Sequence, residues 1–197
     1  MLTHLRRSLI LALLLIVFTF AYAFAGTGIS QLFFSHQADG SITSAGSTLI
    51  GQNWTSNRFF HGRPDDTGPY AADPKKDIDG GDNPLVSNGV SGESGATNLG
   101  PRSKVLLADT KQLVAYWHAR GVDPTPDLVT TSGSGYDPDI TASDAIVQIP
   151  MVSAATGISP SALRSLIARE TEAPELGFLG TSYIDVLQLN EALAKLR

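Results

Sequence analysis

Three short stretches of this 197-residue chain carry groups that can do chemistry. Ser132-Gly133-Ser134-Gly135 can turn several backbone N–H groups toward an anion. It is not a P-loop, which needs GxxxxGK followed by Ser or Thr, and no lysine occurs between residues 112 and 194. Nor is it a GxSxG nucleophile elbow, because Thr131 stands where the first glycine would be if Gly135 were the last. A tight turn presenting Tyr136, Asp137 and Pro138 is the simpler reading. Arg63-Pro64, just after Phe59-Phe60, sets a cation beside aromatics, and Arg58 and Arg63 can pair with Asp65-Asp66. Asp77, Asp79 and Asp82 flank Gly80-Gly81 in the manner of a calcium loop. An EF-hand loop starting at Asp77 would need a bidentate glutamate at its twelfth position, which is Asn88, so an acidic turn is expected instead.

The remaining inventory is restrictive. Of the four histidines, His4, His36, His61 and His118, none makes the HExxH pair of a zinc protease. Without cysteine there are no disulfides, thiolate metal sites or thiol nucleophiles. Nothing assembles a nucleophile, a base and an oxyanion hole, so the residues by themselves predict no catalytic group and no metal site.

The elements that must position these groups begin with the first 30 residues. Arg6 and Arg7 precede an uncharged run from Ser8 to Ser30. That run meets the roughly 20 apolar residues a bilayer-spanning helix requires. It exceeds the roughly 7–15 residues of a signal-peptide core, although Ala21-Tyr22-Ala23 and Ala23-Phe24-Ala25 resemble cleavage sites. A retained anchor is the preferred reading; a secreted periplasmic binding protein or hydrolase, released after cleavage, is the alternative. Because basic flanks stay in the cytoplasm, the expected layout is a cytoplasmic tail over residues 1–7, a transmembrane helix over 8–30 and a periplasmic domain over 31–197. Beyond the run stand 12 basic and 19 acidic residues, a surplus of seven negative charges. That opposes nucleic-acid binding through a broad basic face.

The expected fold of the exported part is α+β: one mixed α/β domain with short strands and several amphipathic helices, behind a single N-terminal transmembrane helix. Residues 36–100 are rich in Gly, Ser, Asn, Asp and Pro, with apolar pieces at Thr48–Ile50 and Phe59-Phe60. They read as short strands joined by long turns. From Pro101 to Gly121 the spacing of Leu106, Leu107, Leu113, Val114 and Trp117 predicts a helix. Leu128–Thr131 reads as a strand. A helix follows, capped at Thr141 or Ser143 and broken or restarted at Pro150. Ser159-Pro160 opens another helix, and Val186, Leu189, Leu193 and Leu196 form the stripe of the last.

In order along nearly the whole chain, these segments resemble the C subunit of the Kdp-type potassium-transporting ATPase (KdpC). The resemblance rests on the single anchor, then on Gly46-Ser47-Thr48-Leu49-Ile50-Gly51-Gln52, then on Phe59-Phe60 and Arg63-Pro64. It continues through Ser94-Gly95, Asn98-Leu99-Gly100-Pro101 and Thr131–Pro138, with Ile140 and Gln148 after them. Phe178-Leu179-Gly180 and Val186-Leu187-Gln188-Leu189-Asn190 complete it. Asp65-Asp66 replaces a usual Ser-Ala pair, and Met151 and Thr156 stand where the family commonly has arginine.

The resemblance implies a non-catalytic accessory subunit of a high-affinity potassium importer in the bacterial inner membrane. Its implied partners are a channel-like potassium-translocating subunit, a P-type ATPase subunit that hydrolyses ATP, and a small single-helix subunit. Its implied role is to stabilise the assembly and to act as a catalytic chaperone raising the pump subunit's ATP affinity. ATP enters through the resemblance alone, and a direct contact at Ser132–Gly135 conflicts with the expected orientation. Gln52, Arg63, Asn98, Ser132, Ser134, Asp137 and Gln148 are the candidate partner-contact or structural residues, placed by motif. Each can equally be a polar group that bonds the backbone.

Overall fold

The computed structural model describes residues 2–52, 54, 56–64 and 99–196. The acidic turn at residues 77–82, the Asp65-Asp66 step, Ser94-Gly95 and the candidate Asn98 lie outside them. The chain divides into two compact units, Met1–Ile42 and Thr43–Arg197.

The first unit is helical. Helix α1 runs over Leu2–Phe33 with no buried residue. Its 32 residues span about 48 Å at 1.5 Å per residue, more than the roughly 30 Å of a bilayer core. It is the one helix among the described residues long and apolar enough to cross a membrane. A single turn, α2 (Ser35–Ala38), follows after Phe34.

The second unit is built from α3 (Lys104–His118), a 3-10 turn (Asp127–Val129), β1 (Asp139–Ile140), α4 (Ala142–Thr156), α5 (Pro160–Arg169), β2 (Ile184–Asp185) and α6 (Val186–Ala194). The strands pair antiparallel, Asp139 opposite Asp185 and Ile140 opposite Ile184. Local sequence accounts for most helix ends. Ser103, Thr141, Ser159 and Asp185 are the N-caps, each accepting from a backbone N–H in the first turn. Thr141 and Asp144 form a reciprocal capping box, and the Thr125 hydroxyl also donates to Asp144. The left-handed Gly157 closes α4. The core gathers one stripe from each helix, chiefly Leu113, Trp117, Val152, Leu163, Leu189 and Leu193, around Phe60, Leu128 and Ile184.

Some expectations need correction. The first amphipathic helix begins at Lys104, because Ser103 and not Pro101 supplies the cap. Leu107 points outward. Leu128 and Val129 are buried from a 3-10 turn, not a strand. Pro150 does not interrupt α4. It deprives the Ile146 carbonyl of its partner, but both residues lie on the exposed face, where water can serve instead. Leu196 is exposed and falls outside the α6 stripe. Neither Thr48–Ile50 nor Phe59-Phe60 forms a strand.

Candidate functional site

The motif residues converge on four consecutive residues, Phe60 to Arg63. Phe60 and His61 are buried in a segment that is neither helix nor strand, so their backbone groups need other partners. Two side-chain amides supply them. Gln148 Oε1 accepts from His61 N–H at 2.8 Å, and Gln148 Nε2 donates to His61 C=O at 3.0 Å. The same nitrogen also donates to Asp144 C=O at 3.1 Å. Asn190 repeats the arrangement one residue earlier: its Oδ1 accepts from Phe60 N–H at 2.8 Å, and its Nδ2 donates to Phe60 C=O at 2.8 Å. Gln148 comes from α4 and Asn190 from α6, so this clasp joins two helices through one buried segment. The amides substitute for the strand the sequence suggested.

Two residues on, Arg63 spreads its guanidinium over the turn after the 3-10 element. It donates to Thr131 C=O at 3.0 Å and Thr130 C=O at 3.4 Å, and it pairs with Asp137 at 3.3 Å. The expected partners Asp65-Asp66 lie outside the described residues. Asp137 in turn accepts from Asp139 N–H at 3.1 Å.

The Ser-Gly loop is wired to itself. Ser132 Oγ accepts from Gly135 N–H at 3.0 Å and Ser134 Oγ from Tyr136 N–H at 3.2 Å, while the two hydroxyls lie 3.2 Å apart. Those two N–H groups are therefore committed and cannot cradle a phosphate without losing these bonds. Gln52 turns back on its own segment, donating to Ser47 C=O at 3.2 Å and Ile50 C=O at 2.9 Å. Next to it, Gly51 N–H donates to Tyr136 C=O at 2.8 Å. A Cβ at Gly51 would lie 2.9 Å from Asp137 O, so only glycine allows this approach.

Electrostatics separate two regions. Burial lowers the His61 pKa from 6.5 to about 4; the Ser56 carbonyl opposes this and Arg120 adds to it. The ring is neutral near pH 7. At the strand pair, Asp139 is raised from 3.8 to about 6, first by desolvation, then by Asp137 and Asp185. Asp185 is also raised, chiefly by burial. No group of three or more His, Asp or Glu residues suited to a metal ion occurs among the described residues.

Of the sequence candidates, Gln148, Arg63, Asp137, Ser132, Ser134 and Gln52 fall in this one network or on its rim; Asn98 lies outside the described residues. Asn190 and His61 were not among the candidates. Asn190 had a readable signal, being a polar residue four positions after Val186, on the apolar stripe of the last helix. His61 had none, since its role depends on burial. Met151 lies in the core at 4% exposure, so at this position the chain packs an apolar side chain.

A family model described as "KdpC: K+-transporting ATPase, c chain" matches residues 5–195. Among curated relatives, the potassium-transporting ATPase KdpC subunit of Rhodopseudomonas palustris (strain TIE-1) is 41% identical over 177 residues, covering 86% of this chain and 85% of its own. That of Methylobacterium nodulans is 40% identical over 205 aligned positions, covering 100% and 98%. KdpC subunit 1 of a Nostoc species is 39% identical over 176 residues, covering 86% and 84%. The matched span takes in most of α1, and the alternative of a released binding protein or hydrolase finds no support. The chain belongs to the KdpC family, the c chain of K+-transporting ATPase.

Proposed function

We propose that the chain is the accessory subunit of an ATP-driven potassium importer, not an enzyme by itself, and that it acts by holding its partners in one arrangement. The observation that carries this reading is the use made of the motif residues. They lock three chain segments and two helices to one another around Phe60–Arg63. The cavity they enclose measures about 20 Å³, whereas small-molecule sites occupy roughly 300–1,000 Å³. Such a cross-linked body is suited to bracing a partner. The partners are a channel-like potassium-translocating subunit, a P-type ATPase subunit that hydrolyses ATP, and a small single-helix subunit.

In this proposal α1 is a single membrane span with Arg6 and Arg7 on the cytoplasmic side and the acidic domain in the periplasm. ATP then lies across the membrane from Ser132–Gly135. The chain raises the pump subunit's ATP affinity indirectly, by binding one conformation of its partners more tightly than another. The commitment of Gly135 and Tyr136 N–H to serine hydroxyls supports the same view.

Reconstituting the complex with and without this chain tests the role. Loss of assembly, or a higher ATP requirement in its absence, is expected; unchanged assembly with unchanged potassium-stimulated hydrolysis overturns it. Orientation has a separate test, helped by the lack of native cysteine. Lys111→Cys, at an exposed position on α3, should react with a membrane-impermeant maleimide in intact spheroplasts. Reaction only after lysis reverses the orientation.

A further inference from the structure

We propose that the loop between α5 and β2 is a docking finger, whose apolar tip at Leu176, Phe178 and Leu179 seats in an apolar pocket, rimmed by lysine or arginine, on a partner subunit. The inference rests on the reading of the chain as one member of an assembly. These three side chains fall within four consecutive residues, and their exposures are 79%, 73% and 51%. Singly scattered apolar residues need no explanation, but a group of them at one tip marks an interaction site. Phe178-Leu179-Gly180 is also one of the ordered motifs, yet it lies outside the core and outside the network at Phe60–Arg63. Local geometry holds the tip outward. Glu172 N–H donates to Tyr183 C=O at 2.9 Å and Tyr183 N–H to Glu172 C=O at 3.3 Å, which closes the base. Gly177 N–H donates to Pro174 C=O and Leu179 N–H to Glu175 C=O, each at 2.9 Å, which folds the tip. Leu176 takes a φ of +53°, a left-handed conformation unfavourable for a bulky side chain, before Gly177 at +80° and Gly180 at +85°. Backbone strain and exposed apolar surface thus coincide, as they do at ligand clamps and other functional sites.

Charge selects the occupant. Glu170, Glu172 and Glu175 stand at the base and flank of the tip, and residues 170–194 contain no lysine or arginine. Arg169, the nearest cation in sequence, pairs with Glu170 at 2.9 Å. The groove beside the base, about 340 Å³, is lined by Asp139, Glu170, Glu172 and Asp185 and by no basic side chain among the described residues. Insertion into anionic lipid is favoured by lysine and arginine beside the apolar residues, and this loop carries the opposite charge. Two copies meeting tip to tip about a two-fold axis would bring the same glutamates together. A protein pocket with a basic rim answers both the apolar tip and the acidic base.

The test titrates the purified full-length chain in detergent against its partner subunits. Combining Leu176→Gly with Phe178→Ala removes two anchors and relieves the positive φ. The melting midpoint of this variant should match or exceed that of the wild type, while its binding weakens at least about tenfold. Glu175→Lys should also weaken binding, and more at low salt than at high salt. If the wild type binds and the double variant binds equally well, the docking finger is overturned; if the wild type itself does not bind, the assembly reading falls with it. Thr181→Cys, in a chain without native cysteine, carries an environment-sensitive dye beside the tip. Its emission should shift to the blue only when the partner subunits are added. A shift in anionic vesicles holding the chain alone assigns the tip to the bilayer, and one that grows with chain concentration assigns it to a second copy; either overturns the proposal.

Discussion

The amide clasp makes a sharp quantitative claim, best tested by Gln148→Met. Gln148 is fully buried and serves both backbone groups of His61. Methionine keeps the length, much of the volume and a good helix propensity, but offers no comparable hydrogen bonds. Two backbone groups would be stranded in the interior, at about 1–3 kcal/mol each. A loss of about 3–4 kcal/mol is therefore expected, a large fraction of the roughly 5–15 kcal/mol that stabilises a domain. In a unit of this size about 1 kcal/mol moves the midpoint by roughly 2–4 °C, so thermal unfolding of the full chain in detergent should fall by about 10 °C. Near-ultraviolet dichroism of Trp117, whose ring lies 5.7 Å from that of His61, reports the same event. A loss below about 1 kcal/mol would refute the reasoning, because it would mean that His61 N–H and C=O find water or other partners and that the clasp does not hold the segment.

Other outcomes follow from the same geometry. Asn190→Leu should cost a similar amount, and the double variant with Gln148→Met should cost less than the sum, because both clasp adjacent residues of one segment; strict additivity in urea unfolding would show the two clasps to be independent. Gly51→Ala should destabilise the domain by about 1–3 kcal/mol, since its Cβ would press on Asp137 O; an unchanged melting midpoint would contradict the close approach. Two groups bend the pH profile in opposite directions. His61 titrates near 4 when folded against 6.5 unfolded, so the unfolded state holds the extra proton and stability falls as pH drops through that window, by about 3 kcal/mol in all. Asp139 is raised to about 6 from 3.8, so the folded state holds its proton more tightly and stability rises as pH drops through that range. Asp139→Asn should therefore stabilise the chain at pH 7 and steepen its loss of stability between pH 6.5 and 4; a flatter profile in melting experiments would count against the assignment.

The anchor, two helix caps and the helix stripes were legible in the sequence because each is local. An uncharged run behind Arg6 and Arg7 has the length of a bilayer span wherever the rest of the chain folds. Thr141 and Ser159, both readable as helix starts, cap through bonds to their own first turns; Ser103 and Asp185 do the same but were not anticipated. Apolar residues at helical spacing must turn to a common core. The ordered motifs, taken together, also identified the family.

What the tertiary structure decided is the work done by the polar motif residues. Gln148 and His61 stand 87 positions apart, and Asn190 and Phe60 stand 130 apart; no local periodicity encodes either pairing. Phe59-Phe60 looked like strand because it is an apolar pair set among turn-forming residues, and the nature of its backbone partner was the undetermined part. Arg63 had acidic neighbours in sequence, yet the fold carries Asp137 and two carbonyls to it. The sequence by itself determined where the longer helices lie, most of the residues they turn inward and that the chain carries an apolar helix long enough for a membrane, while the exposure of Leu107 and Leu196 and the 3-10 turn at Leu128 were decided by packing. Burial alone decided that amides would replace a strand at Phe60–His61, because a buried peptide group must find a partner and only the packed helices α4 and α6 bring one within reach.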